Sequence, residues 1–274
     1  MVVLIIGASG YVGKHLWGLL FEKLEVFGTY LKNPTAYNNN GFSLFLDIRD
    51  NKSVDTAFKK IRPDLIYHLA YDSQDLKGSI IDGTENVLQA KRKWCPGSRL
   101  IYLSTDAVFD GESGPYKESD IPSPVWPYGA AKRKAEIAVR SAGGTVVRTS
   151  LAPMDPRTSV LKSGLETGDF IYSYFSDEIR CPIFVEDLCG VLFELAYADN
   201  NEMNILHIAG PEAISRYEFA CKLARFLEHD PKRIPRGIKS DSGEIRPIDL
   251  SMDISFAKTF FKTKLRSIEE VLDR

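Results

Sequence analysis

The chain is poor in the residues that metal and redox sites need. Its four cysteines (Cys95, Cys181, Cys189 and Cys221) are scattered through 274 residues with no C-x-x-C pair, and its four histidines (His15, His68, His207 and His229) are as dispersed. That spacing argues against a zinc site or a redox dithiol and fits four reduced structural thiols. Charge of one sign is lacking too: 35 Lys and Arg against 37 Asp and Glu leave a net −2, so nothing electrostatic favours nucleic acid or an anionic membrane. The three tryptophans do not alternate with basic residues as a stacking platform would. No apolar run approaches the ~18–20 residues of a membrane span. The apolar start Val2–Ile6 has no Lys or Arg before it and runs straight into Gly7, so it reads as a buried strand and not a signal peptide. Repeats and low-complexity tracts are absent, the Asn38-Asn39-Asn40 run being too short to count. The expectation is a cytoplasmic protein whose partner is a small molecule.

What is present is a rhythm. Strand patterns at Val2–Ile6, Glu25–Tyr30, Ser43–Leu46, Asp64–Leu69, Arg99–Leu103 and Thr145–Arg148 alternate with helical ones. Several strands are apolar almost throughout, as strands covered on both faces are. Val12, Leu16, Leu19 and Leu20 share a helical face, as do Val54, Ala57, Phe58 and Ile61; Thr84–Lys93 and Tyr128–Arg140 complete the set. Such alternation predicts an α/β fold with a doubly wound parallel sheet of Rossmann type. After about Leu151 the rhythm changes. Ala152–Arg157 is a turn-rich break and Gly164–Ser176 is polar and irregular. The segment Ile179–Phe184 reads as a strand, Val185–Ala198 as a helix, Ile205–Ile208 as a strand, Ile214–Leu227 as a helix and Ser267–Leu272 as a last helix. Residues 1–150 are therefore expected to form a dinucleotide-binding domain, to which helix 185–198 returns, and 151–274 a smaller substrate-binding lobe.

Gly7-Ala8-Ser9-Gly10-Tyr11-Val12-Gly13 follows the first strand and opens a helix. Glycines here allow a tight turn, close approach of backbone to a pyrophosphate, and close packing of helix on strand, with the phosphates at the positive helix end. Gly7, Ser9, Gly10, Tyr11, Val12 and Gly13 are thus candidate cofactor-binding residues. The spacing is G-x-x-G-x-x-G, unlike the commonest dehydrogenase fingerprint. Where an acid would bind the ribose of NAD, the second strand ends in Gly28-Thr29-Tyr30-Leu31-Lys32. Lys32 attracts a 2′-phosphate, so NADP(H) is expected over NAD(H); a solvated loop charge is the competing account of Lys32.

Tyr128 and Lys132 form the one Y-x-x-x-K in the chain, behind Pro127 at a helix start. Residues four apart share a helical face, and a cation beside a phenol eases its ionisation, so the pair can exchange a proton with a ketone or alcohol near neutral pH. Leu103-Ser104-Thr105-Asp106 closes the fifth strand, at the carboxyl end where ligands bind in a parallel sheet. Ser104 and Thr105 point to opposite faces, so only one can meet the same carbonyl; Thr105 is the choice, with strand capping the alternative. Asp47, Asp50, Asp106 and Asp110 read as surface or loop carboxylates, and no catalytic metal is expected. Lys232, Arg233, Arg236 and Lys239 make a basic loop that either meets a diphosphate or is simply solvated. Trp126 either walls the cleft or packs in the core.

These motifs carry a likeness. Gly7–Gly13, Asp47-Ile48-Arg49-Asp50, the run from Pro63 to Ala70 and Tyr128-x-x-x-Lys132 resemble the extended short-chain dehydrogenase/reductases. The stretch Ser104–Gly111, then Pro115–Asp120, Val147–Ser150, Phe184–Leu188, Leu206–Gly210 and Arg246-Pro247 resemble the dTDP-4-dehydrorhamnose reductase branch over nearly the whole chain. The resemblance implies that Asp47 and Ile48 meet the adenine, that Leu69, Ala70 and Tyr71 line the ribose and nicotinamide, and that Lys132 also holds the nicotinamide ribose. Thr105, Tyr128 and Lys132 would be the catalytic set for hydride transfer to a 4-keto nucleotide sugar, with Tyr128 as general acid, and a homodimer is one assembly open to it. A nucleotide-sugar epimerase or dehydratase with tightly held NAD is an alternative, although Ala107 replaces the Glu that dehydratases carry after Ser-Thr-Asp. So is a non-catalytic NADP-binding regulatory subunit, as some relatives of this branch are. Four departures lie on or near the expected substrate side: Leu151 for a usual Trp, Asp177–Ile183 for the usual D-Q-x-G-x-P-T, Ala107 for a common Tyr, and Ile80 for an Asn.

Overall fold

A computed structural model describes residues 1–32, 42–150, 158–198, 203–243 and 245–272. The break at 152–157, Leu151 and the asparagine run at 38–40 lie outside these residues. Seven strands form one sheet in the order β3-β2-β1-β4-β5-β6-β9, with β1 Val2–Ile6, β2 Glu25–Tyr30, β3 Ser43–Phe45, β4 Leu65–His68, β5 Arg99–Thr105, β6 Thr145–Thr149 and β9 Ile205–Ile208. Pairings β1–β2, β1–β4, β2–β3 and β4–β5 are all parallel. The order reverses at β1, so the carboxyl ends of β1 and β4 flank the crevice where open α/β sheets bind ligands.

The chain divides into two compact units. Unit 1 comprises Met1–Thr105, Pro127–Arg148 and Cys189–Leu206; unit 2 comprises Asp106–Trp126, Thr149–Leu188 and His207–Arg274. Residues 106–126 thus cluster with the C-terminal segments, and the chain passes between units several times. In unit 1 the helices α1 Tyr11–Phe21, α2 Asn51–Ile61, α3 Gly83–Trp94 and α4 Pro127–Ser141 connect the strands. Leu4, Ile6, Val54, Phe58, Ile66, Val87, Tyr102 and Val139 make one core in which the apolar stripes of α2, α3 and α4 meet the sheet. Asp50 starts α2 by accepting from the Lys52 N–H at 3.0 Å, an ordinary N-cap.

Unit 2 differs more from the sequence pattern. The stretch Gly164–Ser176, expected to be irregular, includes the end of a helix, α5 Thr158–Thr167, and a short strand, β7 Tyr174–Phe175. The segment expected as one strand is extended only at Ile179–Arg180 (β8), which pairs antiparallel with Ile214–Ser215 (β10). The expected helix 214–227 therefore begins two residues late, as α7 Arg216–Phe226, because Ser215 caps it in a reciprocal box with Glu218. Helix α6, Val185–Tyr197, starts in this unit, but from Cys189 onward it is grouped with unit 1. Arg236–Gly237 (β11) pairs with β7, and two short helices, α8 Ser255–Phe260 and α9 Ile268–Leu272, follow. Leu161, Leu165, Phe219, Leu223, Ile234 and Ile268 form this unit's own core. Among the described residues no helix is long and apolar enough to cross a membrane.

Candidate active site

The glycine loop is built by contact. Gly7 leaves β1 with φ +92°, a left-handed conformation, and a Cβ there would lie 2.9 Å from the Ala70 nitrogen. A Cβ on Gly13 would lie 2.3 Å from the Gly7 carbonyl oxygen, so α1 can rest on the loop only with glycine there. The Gly7 N–H donates to Thr29 Oγ1 at 3.0 Å, and the Gly10 N–H to the Gly7 carbonyl at 3.0 Å. Helix α1 then starts after Gly10 with no side-chain cap and no acid in its first turn. Its positive end is left for an anion from outside the chain, which is the donor arrangement a pyrophosphate needs. Beside it lies a cleft of about 450 Å³ lined by Ser9, Lys14, Leu31, Lys32, Tyr71, Asp72 and Ser73. Two lysines in this cleft fit a phosphorylated adenosine ribose. Lys14 escaped the sequence reading; its position just past Gly13, in the first turn of α1, was the available signal.

Asp47 is held by the Arg49 fork, with Nε at 2.9 Å and Nη2 at 2.8 Å. These bonds keep its carboxyl below the usual carboxylate range. Ile48 is buried, with its side chain near the place a Gly83 Cβ would occupy. Leu69 and Ala70 are half-buried beyond β4, and Tyr71 is exposed.

The proton-handling residues come together on α4. Tyr128, half-buried in the first turn, has its ring 5.4 Å from that of Tyr71. One turn on, Lys132 is 3% exposed; its Nζ donates to the Leu103 carbonyl at 2.8 Å and lies 4.6 Å from the Tyr102 ring centre and 5.2 Å from that of Tyr71. Burial pushes the Lys132 ammonium down to about 7, against the opposing pull of Glu136. The lysine that the sequence places beside Tyr128 is therefore poised to gain or lose its proton near neutrality. Ser104 donates to Glu136, which is paired with Arg148 at 2.8 Å where both side chains are sealed from solvent. That hydroxyl is committed to the interior. Thr105, the next residue of β5, is buried and turned to the other face.

Several sequence candidates lie elsewhere. Asp50 caps α2, Asp106 accepts from Ser150 at 2.7 Å, and Asp110 accepts from Tyr116. Ile80, expected near substrate, is 1% exposed and belongs to the unit 1 core. Lys232, Arg233 and Arg236 are exposed, and Arg236 lies 5.5 Å from the Tyr217 ring centre. The denser cationic group of unit 2 went unseen in the sequence. Glu178, fully buried, receives Arg180 at 2.6 Å, Arg216 at 3.2 Å and Arg246 at 3.3 Å. Arg180 and Arg246 both lie near the ring of Trp126, whose indole N–H donates to the Ile245 carbonyl. These residues are spread from 126 to 246, so no local motif could announce them.

Comparison with known proteins agrees with this geometry. The family model described as the RmlD substrate binding domain matches residues 1–274. The chain belongs to this family. It is accordingly a member of the extended short-chain dehydrogenase/reductases, with dTDP-4-dehydrorhamnose reductases among its relatives. A dTDP-4-dehydrorhamnose reductase of Aggregatibacter actinomycetemcomitans is 27% identical over 236 residues, 80% of this chain and 76% of that one. Methionine adenosyltransferase 2 subunit beta of Xenopus tropicalis is 28% identical over 247 residues, 81% of this chain and 70% of the relative. Among solved structures, a hypothetical dTDP-4-dehydrorhamnose reductase from Sulfolobus tokodaii superposes with TM-score 0.82 at 28% identity, covering 97% of each chain. The dTDP-4-dehydrorhamnose reductase of Bacillus anthracis in complex with NADP has TM-score 0.81 at 25% identity, covering 100% of this chain and 97% of that one.

Proposed function

We propose that this member of the RmlD substrate-binding family is an NADPH-dependent reductase of a 4-keto nucleotide sugar. The observation that carries the reading is Lys132: a buried lysine with no ion pair among the described residues, hydrogen-bonded to the Leu103 carbonyl and one helical turn from Tyr128. Bound NADPH would supply a hydride from nicotinamide C4. Gly7, Ser9, Gly10, Tyr11, Val12 and Gly13 hold the pyrophosphate at the start of α1. Lys32, joined by Lys14, meets the 2′-phosphate. Asp47 and Ile48 lie at the adenine, and Leu69, Ala70 and Tyr71 at the ribose and nicotinamide. Tyr128 donates the proton to the keto oxygen, Thr105 donates a hydrogen bond to the same oxygen, and Lys132 holds the ribose and supports charge on the phenol. Residues 151–274 take the sugar nucleotide, and the arginines around Glu178 suit its diphosphate.

The NADP complex of the Bacillus anthracis relative supports the cofactor assignment. Lys32→Asp is expected to shift the kcat/KM ratio of NADPH to NADH by about tenfold toward NADH, the size of one phosphate contact worth ~1.4 kcal/mol. An unchanged ratio removes Lys32 from the site. The function itself is tested by spectrophotometric NADPH oxidation against enzymatically generated 4-keto sugars of several nucleotides. Turnover of at least one supports the reductase.

A second reading rests on the likeness to methionine adenosyltransferase 2 subunit beta: a non-catalytic subunit that binds NADP and a partner enzyme. No turnover across the panel, together with a stoichiometric partner in purified material, would establish it in place of the reductase.

A further inference from the structure

Lys132 sits in a pocket that should strip it of charge, so what opposes that loss decides how it behaves. On its own helix it is faced by Tyr128 and by Glu136. Glu136 is already spent: it accepts from Ser104 and is paired with Arg148 of β6. From β4 comes His68, fully buried and kept neutral, its pKa pushed down to about 3 first by burial and then by Lys132 itself. His68 Nε2 is within 3.0 Å of Thr84 Oγ1, and its ring meets Tyr102 edge-on at 5.2 Å. From β5 and from the segment after β4 come two tyrosine rings, Tyr102 at 4.6 Å and Tyr71 at 5.2 Å from the ammonium. Besides the Leu103 carbonyl, these two rings lie beside the ammonium, and neither is engaged by another cation among the contacts described above.

We propose that Tyr102 is a positioning residue for Lys132: its ring and that of Tyr71 hold the ammonium between them and help keep it charged where the one carboxylate acting on it, Glu136, is already paired with Arg148. The ring quadrupole attracts a cation held near its face, and more strongly when the pair is dry. Tyr102 is 1% exposed and Tyr71 46%, so the inner ring is the fixed jaw and the outer the adjustable one. The effect depends on the ring and not on the Tyr102 hydroxyl. The inference deepens the reductase reading, which gives Lys132 its role, but concerns the protonation of that lysine in the cofactor-free protein.

The test is a carbon-13 NMR titration of the lysine ε-carbons in cofactor-free protein, with Lys132 assigned by the resonance lost in Lys132→Met. The expected midpoint is about 7 in the native chain. Tyr102→Phe, which keeps the ring, leaves the midpoint in place. Tyr102→Leu lowers the proton affinity of Lys132 by roughly three- to tenfold, a midpoint fall of about half a unit to one unit. A native midpoint in folded Tyr102→Leu overturns the proposal, as does an equal fall in Tyr102→Phe. Should Tyr102→Leu not fold, Tyr71→Leu removes the outer ring instead; a fall supports the clamp and an unmoved midpoint overturns it. The reading involves no turnover, so a failed clamp and a failed reductase assignment are told apart: the first shows in the titration, the second in the NADPH-oxidation screen.

Discussion

Unit 1 and unit 2 both bury charge, but they treat it differently. In unit 2 the sealed carboxylates are met by guanidinium groups: Glu178 by three arginines, Asp106 by Arg180 at 3.7 Å, and Asp187 by Arg266 at 2.7 Å. In unit 1 Glu136 and Arg148 are matched in the same way, yet a few ångströms of helix away Lys132 is buried with a carbonyl and two rings for company. Paired buried charges fix the arrangement of segments that share no sheet, which unit 2, with its two-residue strands, needs. A buried cation left without a carboxylate weakens the fold and is kept for chemistry. On the proposed function, unit 1 is therefore the one that carries the reactive group.

The comparison breaks first at Glu178. Glu178→Gln should destabilise unit 2 by about 3 kcal/mol, since the buried Arg180 loses its counter-charge together with the partly exposed Arg216 and Arg246. A shift in the urea-unfolding midpoint measures it, and an unchanged midpoint would mean that the network is incidental to the fold of unit 2. A smaller effect sharpens the unit 1 side. His68 is neutral in the fold, with a pKa of about 3 against an ordinary 6.5, so the unfolded chain binds more protons between those values. Stability then falls as pH drops through that window, by about 1.4 kcal/mol per pH unit. Urea titrations at about pH 5 and pH 6 check the slope, and His68→Gln should flatten it. Lys132 has the same sign higher up, stability rising with pH between about 7 and 10.5. The smallest effect is Ser215→Ala, which removes the capping box of α7 and should cost about 1 kcal/mol, read as a small fall in the thermal midpoint.

The same contrast explains what the sequence disclosed. Unit 1 was legible because its elements obey local rules: near-continuous apolar strands such as Leu65–His68, one-faced helices such as Asn51–Ile61, and a glycine loop whose spacing is a contact requirement. The Tyr128 and Lys132 relation was legible for the same reason, being one turn of one helix. What lay hidden depends on residues distant in sequence. Nothing near Lys132 announces Tyr102 and Tyr71 as its neighbours, and nothing near Glu178 announces Arg216 and Arg246. Burial was hidden as well, and it is burial that pushes the Lys132 ammonium down to about 7. In unit 2, β8 and β10 are only two residues each, too short for any periodicity to show. Ser215 and Glu218 form a readable capping signal, which places the start of α7 correctly once the local pattern is preferred to the longer apolar run.

The central claim is that Tyr128, beside Lys132, delivers the proton in carbonyl reduction. The direct measurement is NADPH oxidation by Tyr128→Phe on whichever 4-keto nucleotide sugar the native chain reduces, with NADPH affinity determined on the same preparation. The account predicts a kcat loss of about 10²- to 10⁴-fold, the ordinary worth of a positioned general acid, with the Kd for NADPH nearly unchanged. Native turnover in that variant would contradict it.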